Sequence, residues 1–127
     1  MFDIMRRAEE VKREIGELTI KNVVEYIEKQ GFEVIEFNTI KGDMRINELG
    51  IFEDTKGCNG RTIDSTDWGV VIVDGSLSDD DKLHVLLHEL GHVVLHMPVW
   101  NTIRKTHSVI RKDAEAEVFA FIIKNYK

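Results

Sequence analysis

Four of the five histidines in this 127-residue chain fall at positions 84, 88, 92 and 96. The middle two enclose the run His88-Glu89-Leu90-Gly91-His92. On an α-helix, residues four apart are separated by about 40° around the axis and about 6 Å along it. Both imidazoles can therefore reach one metal ion from the same face. Glu89 is turned about 100° from His88, which sets its carboxylate beside such a metal rather than on it. This is the His-Glu-x-x-His arrangement of metallopeptidases, in which the carboxylate takes a proton from water that zinc has activated. His84 and His96 extend the ladder and are expected to have ordinary helix-surface or supporting roles. A third histidine six residues after His92 would complete a longer metal-binding pattern, but that position is Pro98.

The helix that must hold these residues is well specified. Ser78 can cap it, and Asp79, Asp80 and Asp81 place three carboxylates at the positive end of its dipole. Leu83, Leu86, Leu87, Val93 and Val94 supply an apolar face. The spacing predicts a helix from about Asp79 to His96, since Pro98 disfavours helical geometry at Met97. Gly91 costs about 1 kcal/mol relative to Ala inside a helix, which implies that something approaches closely there.

A hydrolytic zinc site usually has three protein ligands and one open position. The last predicted helix, from about Lys112 to Asn125, offers Asp113, Glu115 and Glu117. Phased on Val118, Phe119 and Ile122, Glu115 lies on the inward face, and the other two carboxylates are turned about 200° away. A carboxylate aimed at a core is costly unless it is paired or metal-bound, so Glu115 is the expected third ligand.

The remaining elements are read more coarsely. Phe2, Met5, Ala8, Val11 and Ile15 recur at helical spacing until Gly16, and Thr19 can cap a second helix that ends at Gly31. Phe32–Ile40 is β-like, Glu48–Asp54 is a possible second strand, and Lys56–Gly60 is turn-like. Gly69–Val73, closed by Asp74-Gly75, is the clearest strand. Cys58 reads as a plain loop thiol. Trp68 and Trp100 are expected to serve packing before any role in lining a cleft.

Composition narrows the setting. The net charge of −6 weighs against direct nucleic-acid binding. No apolar run approaches the roughly 18–20 residues of a membrane span, and Met1–Glu10 is too charged for a signal peptide. A lone cysteine suits a reducing, cytoplasmic setting.

The motifs together resemble the ImmA/IrrE family of zinc-dependent peptidases. Val71–Asp74 with Ser76-Leu77-Ser78 is similar to that family's strand-and-turn lead-in, and Lys82–His96 to its active helix. Glu115-Ala116 with Phe119-Ala120 resembles its Glu-Ala-Asn-x-Phe-Ala signature, with Glu117 standing in the Asn position. The resemblance implies metal ligands at His88, His92 and Glu115, with Glu89 as the catalytic base. It also implies Zn²⁺ as cofactor and site-specific cleavage of a protein substrate such as a helix-turn-helix repressor, in mobile-element or stress-response derepression. The usual Met-Pro continuation is missing, and no fused regulatory module is expected. The implied fold is α+β, with residues 1–127 forming a single minimal zincin-like metallopeptidase domain. Its parts would be N-terminal helices, a small, mainly antiparallel sheet, the His-Glu-x-x-His helix, and a C-terminal helix carrying the third ligand. A substrate strand would add to a sheet edge formed by Glu48–Asp54 or Gly69–Val73. His107 and Tyr126 are candidate oxyanion donors by chemistry alone. The rival readings are a non-cleaving, zinc-containing protein-binding module and a domain whose zinc is purely structural.

Overall fold

The computed structural model describes residues 2–38, 44–64, 68–96 and 109–126. The chain begins with α1 (Phe2–Ile15) and α2 (Ile20–Lys29), and the Thr19 hydroxyl accepts from the Asn22 amide 3.1 Å away to cap α2. These are the two helices expected from apolar spacing. The Tyr26 hydroxyl of α2 donates to Glu14 of α1 at 2.6 Å, tying the pair together. Strand β1 (Glu33–Phe37) follows, then α3 (Met44–Leu49), a 3₁₀ turn at Phe52–Thr55, β2 (Gly60–Asp64) and β3 (Gly69–Asp74). The last two elements are α4 (Asp79–Leu95) and α5 (Val109–Asn125).

The sheet has the order β1-β3-β2, with β1 parallel and β2 antiparallel to the central strand. It is therefore mixed, where the sequence suggested a mainly antiparallel one. Val70–Val73 are all buried, because β3 is covered on both faces. That explains why its sequence is a continuous apolar run rather than an alternating one. Val71 and Val73 face a core built with α1, α2, α4 and α5, where Val11, Ile27, Leu86, Leu90 and Phe119 meet. Val70 and Ile72 face a smaller cluster of Ile35, Phe37, Ile46 and Ile51, against which Trp68 packs.

The segment Glu48–Asp54 is not a strand. It holds the end of α3 and most of the 3₁₀ turn. Ile46 and Leu49 sit three apart on one helical face and both contribute to the smaller cluster. Gly50 then takes φ 70°, and the Ile51 amide bonds back to the Ile46 carbonyl, a glycine-terminated helix end. The second outer strand is instead β2, whose sequence Gly-Arg-Thr-Ile-Asp carries a single aliphatic residue. Among the described residues, no helix is long and apolar enough to cross a membrane.

Candidate metal centre

Helix α4 starts as its sequence requires: Ser78 Oγ accepts from the Asp81 amide at 3.2 Å. Leu86, Leu87, Leu90 and Val93 turn into the core, and this packing fixes the direction of the histidine face. Helix α5 lies against α4 at Gly91. A Cβ on Gly91 would stand 3.0 Å from Ala116 Cα and 3.1 Å from the Ala116 carbonyl oxygen. Glycine thus lets the two backbones approach closely enough for carboxylates of α5 to meet the α4 histidines.

Asp113 Oδ1 lies 2.9 Å from His92 Nε2 and 3.6 Å from His88 Nε2. One ligand atom from each of these three residues falls within 4.8 Å of the others, so the group could hold a metal ion. The opposite ring nitrogens are also held. His88 Nδ1 is 3.0 Å from Glu117 Oε1, and His92 Nδ1 is 3.0 Å from His96 Nδ1. Partners at Nδ1 orient an imidazole so that Nε2 points at the metal position. Burial, reinforced by the neighbouring His88 and His96, pushes the His92 pKa down to about 4 despite its bond to Asp113. His92 is therefore neutral at pH 7, the state a metal ligand needs. At Glu117, burial works to raise the pKa, but hydrogen bonds from His88 and His84 outweigh it and hold the carboxyl below its ordinary range. His84 Nε2 sits 3.0 Å from Glu117 Oε1, at the outer margin of the group.

Glu89 turns its carboxylate to the sheet. It is 5% exposed, and Thr62 of β2 donates its hydroxyl hydrogen to Glu89 Oε1 at 2.7 Å. Burial raises its pKa, the hydrogen bond from Thr62 partly offsets this, and the nearby Asp113 carboxylate adds to the rise. Gly60 of β2 permits this approach, since a Cβ there would run into Val85 and come within 3.6 Å of Glu89 Cγ.

The expected residues are thus only partly brought together. His88 and His92 converge, with Glu89 beside them on the same helix. Glu115 is not in the converging group; its Oε1 lies 3.1 Å from His96 Nε2. The buried stripe of α5 is Ala116, Phe119, Ala120 and Ile123, whereas Val118 and Ile122 are only partly buried. With that phase, Asp113 and Glu117 line one flank of the stripe and Glu115 the other. A usable signal was present, because Asp113 and Glu117 are four apart, matching the histidine ladder they face. Thr62 had no comparable signal, since only the fold brings it to Glu89. Met97, Pro98, Trp100 and His107 lie outside the described residues, and Tyr126 follows the end of α5. Cys58 is half-buried and directs its Sγ at the Thr55 carbonyl, 3.7 Å away.

No family model, curated protein or solved structure matches the chain.

Proposed function

We propose that the chain is a zinc-dependent endopeptidase that cuts a protein substrate at a specific site. A helix-turn-helix repressor is the substrate class suggested by the likeness of its motifs to ImmA/IrrE peptidases. The observation that carries the reading is the convergence of His88, His92 and Asp113 beside a buried glutamate. Two imidazole nitrogens and one carboxylate oxygen suit a hydrolytic zinc site, whereas a structural zinc is normally closed by four protein ligands, often cysteines. Glu115, the ligand implied by the resemblance, is the alternative to Asp113, and the distances favour Asp113.

Zinc, when bound, makes water a nucleophile near neutral pH and polarises a carbonyl. The protein's own residues would do the rest. Glu89 takes the proton of the attacking water and returns it to the leaving nitrogen. Thr62 holds the Glu89 carboxylate in place through Oε1. Strand β2 supplies the sheet edge: among the described residues its outer side pairs with no other strand, and Thr62 borders Glu89. A substrate in extended form can add there as a fourth strand. This replaces the two edges expected from sequence, since Gly69–Asp74 is the central strand and Glu48–Asp54 is helical.

The test compares wild-type protein with Glu89→Gln, each loaded with zinc, and with chelated wild type. Each is incubated with a cell extract, and new protein N-termini are identified by mass spectrometry. The reading predicts a small set of new termini with zinc-loaded wild type only, and a loss of about 10²-fold or more in Glu89→Gln. Equal cleavage by the variant, or no cleavage at all, contradicts it, the latter favouring a binding or structural role.

A further inference from the structure

We propose that Val85 is a specificity-determining residue: it forms one wall of a subsite that takes an aliphatic side chain of the substrate, two residues along from the one that faces Glu89. The proposal rests on the endopeptidase reading above, with an extended substrate added to β2, and names what that substrate must carry.

The placement follows from how β2 lies against α4. A Cβ on Gly60 would run into Val85 Cγ1 and come within 3.6 Å of Glu89 Cγ. Two residues on, the Thr62 hydroxyl reaches Glu89 Oε1 at 2.7 Å. The strand thus passes Val85 and then Glu89, so β2 and α4 run in the same direction. Their spacings match. Val85 precedes Glu89 by four residues, about 6 Å along the helix. Gly60 precedes Thr62 by two, about 6.6 Å along the strand. Gly60 and Thr62 pair with Val73 and Val71, whose side chains join the core that includes α4, so positions 60 and 62 face that helix. Arg61 and Ile63, paired with Ile72 and Val70, face the other way.

A strand added to the outer side of β2 carries the same alternation, because residues opposite one another across a ladder share a face. The substrate residue opposite Thr62 turns to Glu89. The residue opposite Gly60 turns to the same side, and there β2 has no side chain to offer it. Val85 Cγ1 occupies that place instead, so this substrate residue meets a valine of α4. Val85 is half-buried and packs on the main core behind it, which fixes its position. An aliphatic side chain laid against it loses water-exposed apolar surface. A carboxylate there would lose hydration and gain no hydrogen bond from Val85.

The experiment uses a peptide spanning the cut identified above, varied one residue at a time through Gly, Val, Leu, Phe and Asp at the three positions on either side of that cut. kcat/KM is measured for zinc-loaded wild type, Val85→Ala and Val85→Thr. Wild type should prefer Val or Leu over Gly by about 10-fold or more at one of these positions, with Asp poorest. Val85→Ala deepens the subsite and should move the optimum at that position alone to Leu or Phe, by about 10-fold relative to Val. Val85→Thr keeps the volume and should weaken the aliphatic preference there. If Val85→Ala fails to fold, Val85→Thr carries the decision. An unchanged profile in the variants would overturn the subsite while leaving the endopeptidase reading intact. Loss of all cleavage in both variants would also overturn it, since Val85 would then support the fold or the centre rather than selection. If zinc-loaded wild type makes no cut in extract or peptide, the endopeptidase reading itself fails, and the subsite with it.

Discussion

Thr62 donates to a carboxylate that burial disfavours in its charged form. Replacing it by Val keeps nearly the same volume but removes that donor from Glu89. Leaving a buried acceptor short of a hydrogen bond costs about 1–3 kcal/mol, so Thr62→Val should lower the urea midpoint of unfolding accordingly. It should also slow cleavage, because Glu89 loses the contact that holds Oε1. An unchanged midpoint would mean that the hydroxyl contributes nothing to Glu89. At this scale the histidine pair and Glu89 were legible, because four-residue spacing on one capped helix defines their mutual placement. The carboxylates of α5 were less so. Their order along the helix was clear, but which flank faces α4 depends on the phase of the buried stripe. Val118 and Ile122 point to one phase, whereas Ala116 and Ala120 take the innermost places, being small enough for close helix contact. Glu115, expected on the inward face, lies instead on a flank of the buried stripe, half-exposed but less so than Asp113 and Glu117, and meets His96 there.

The contact of α4 with α5 decides whether histidines and carboxylates meet at all. Gly91→Ala gains about 1 kcal/mol in helix propensity, but the new methyl would press on the backbone of Ala116. Overpacking of that kind costs about 1–3 kcal/mol, and backbone yields less readily than a flexible side chain. We expect a net destabilisation of about 1 kcal/mol in chemical denaturation, together with weaker zinc binding, because Asp113 lies one turn before Ala116. A variant more stable than wild type, with unchanged zinc affinity, would show that the helices separate freely. Elements with strong local signals were readable: the Thr19 and Ser78 caps and the buried run of β3. Strand β2 was not, because Gly60–Asp64 owes its extended form to pairing with β3 and to covering Glu89, neither of which is local. The segment Glu48–Asp54 misled for the opposite reason. Its helical face begins at Ile46, before the stretch that looked β-like.

Across the whole molecule, the centre joins the last two helices, and β2 sets the sheet beside it. A metal bound there links α4 to α5 only in the folded state. Binding to the folded state alone stabilises by about 4 kcal/mol when the free metal exceeds its dissociation constant 1,000-fold. Removing zinc with chelator should therefore lower the melting temperature by roughly 10–20 °C for a domain of this size. His88→Ala should start low and show almost no response to chelator. An equal chelator response in that variant would place the stabilising metal elsewhere.

The most direct test of the account is anomalous diffraction at the zinc edge from crystals of the zinc-loaded protein. The prediction is a single peak about 2.0–2.2 Å from His88 Nε2, His92 Nε2 and an Asp113 carboxylate oxygen, with the fourth position free of protein ligands. Glu89 should lie beside that open position. No peak at this group, a shell closed by four protein ligands, or a zinc held by Glu115 instead of Asp113 would contradict it.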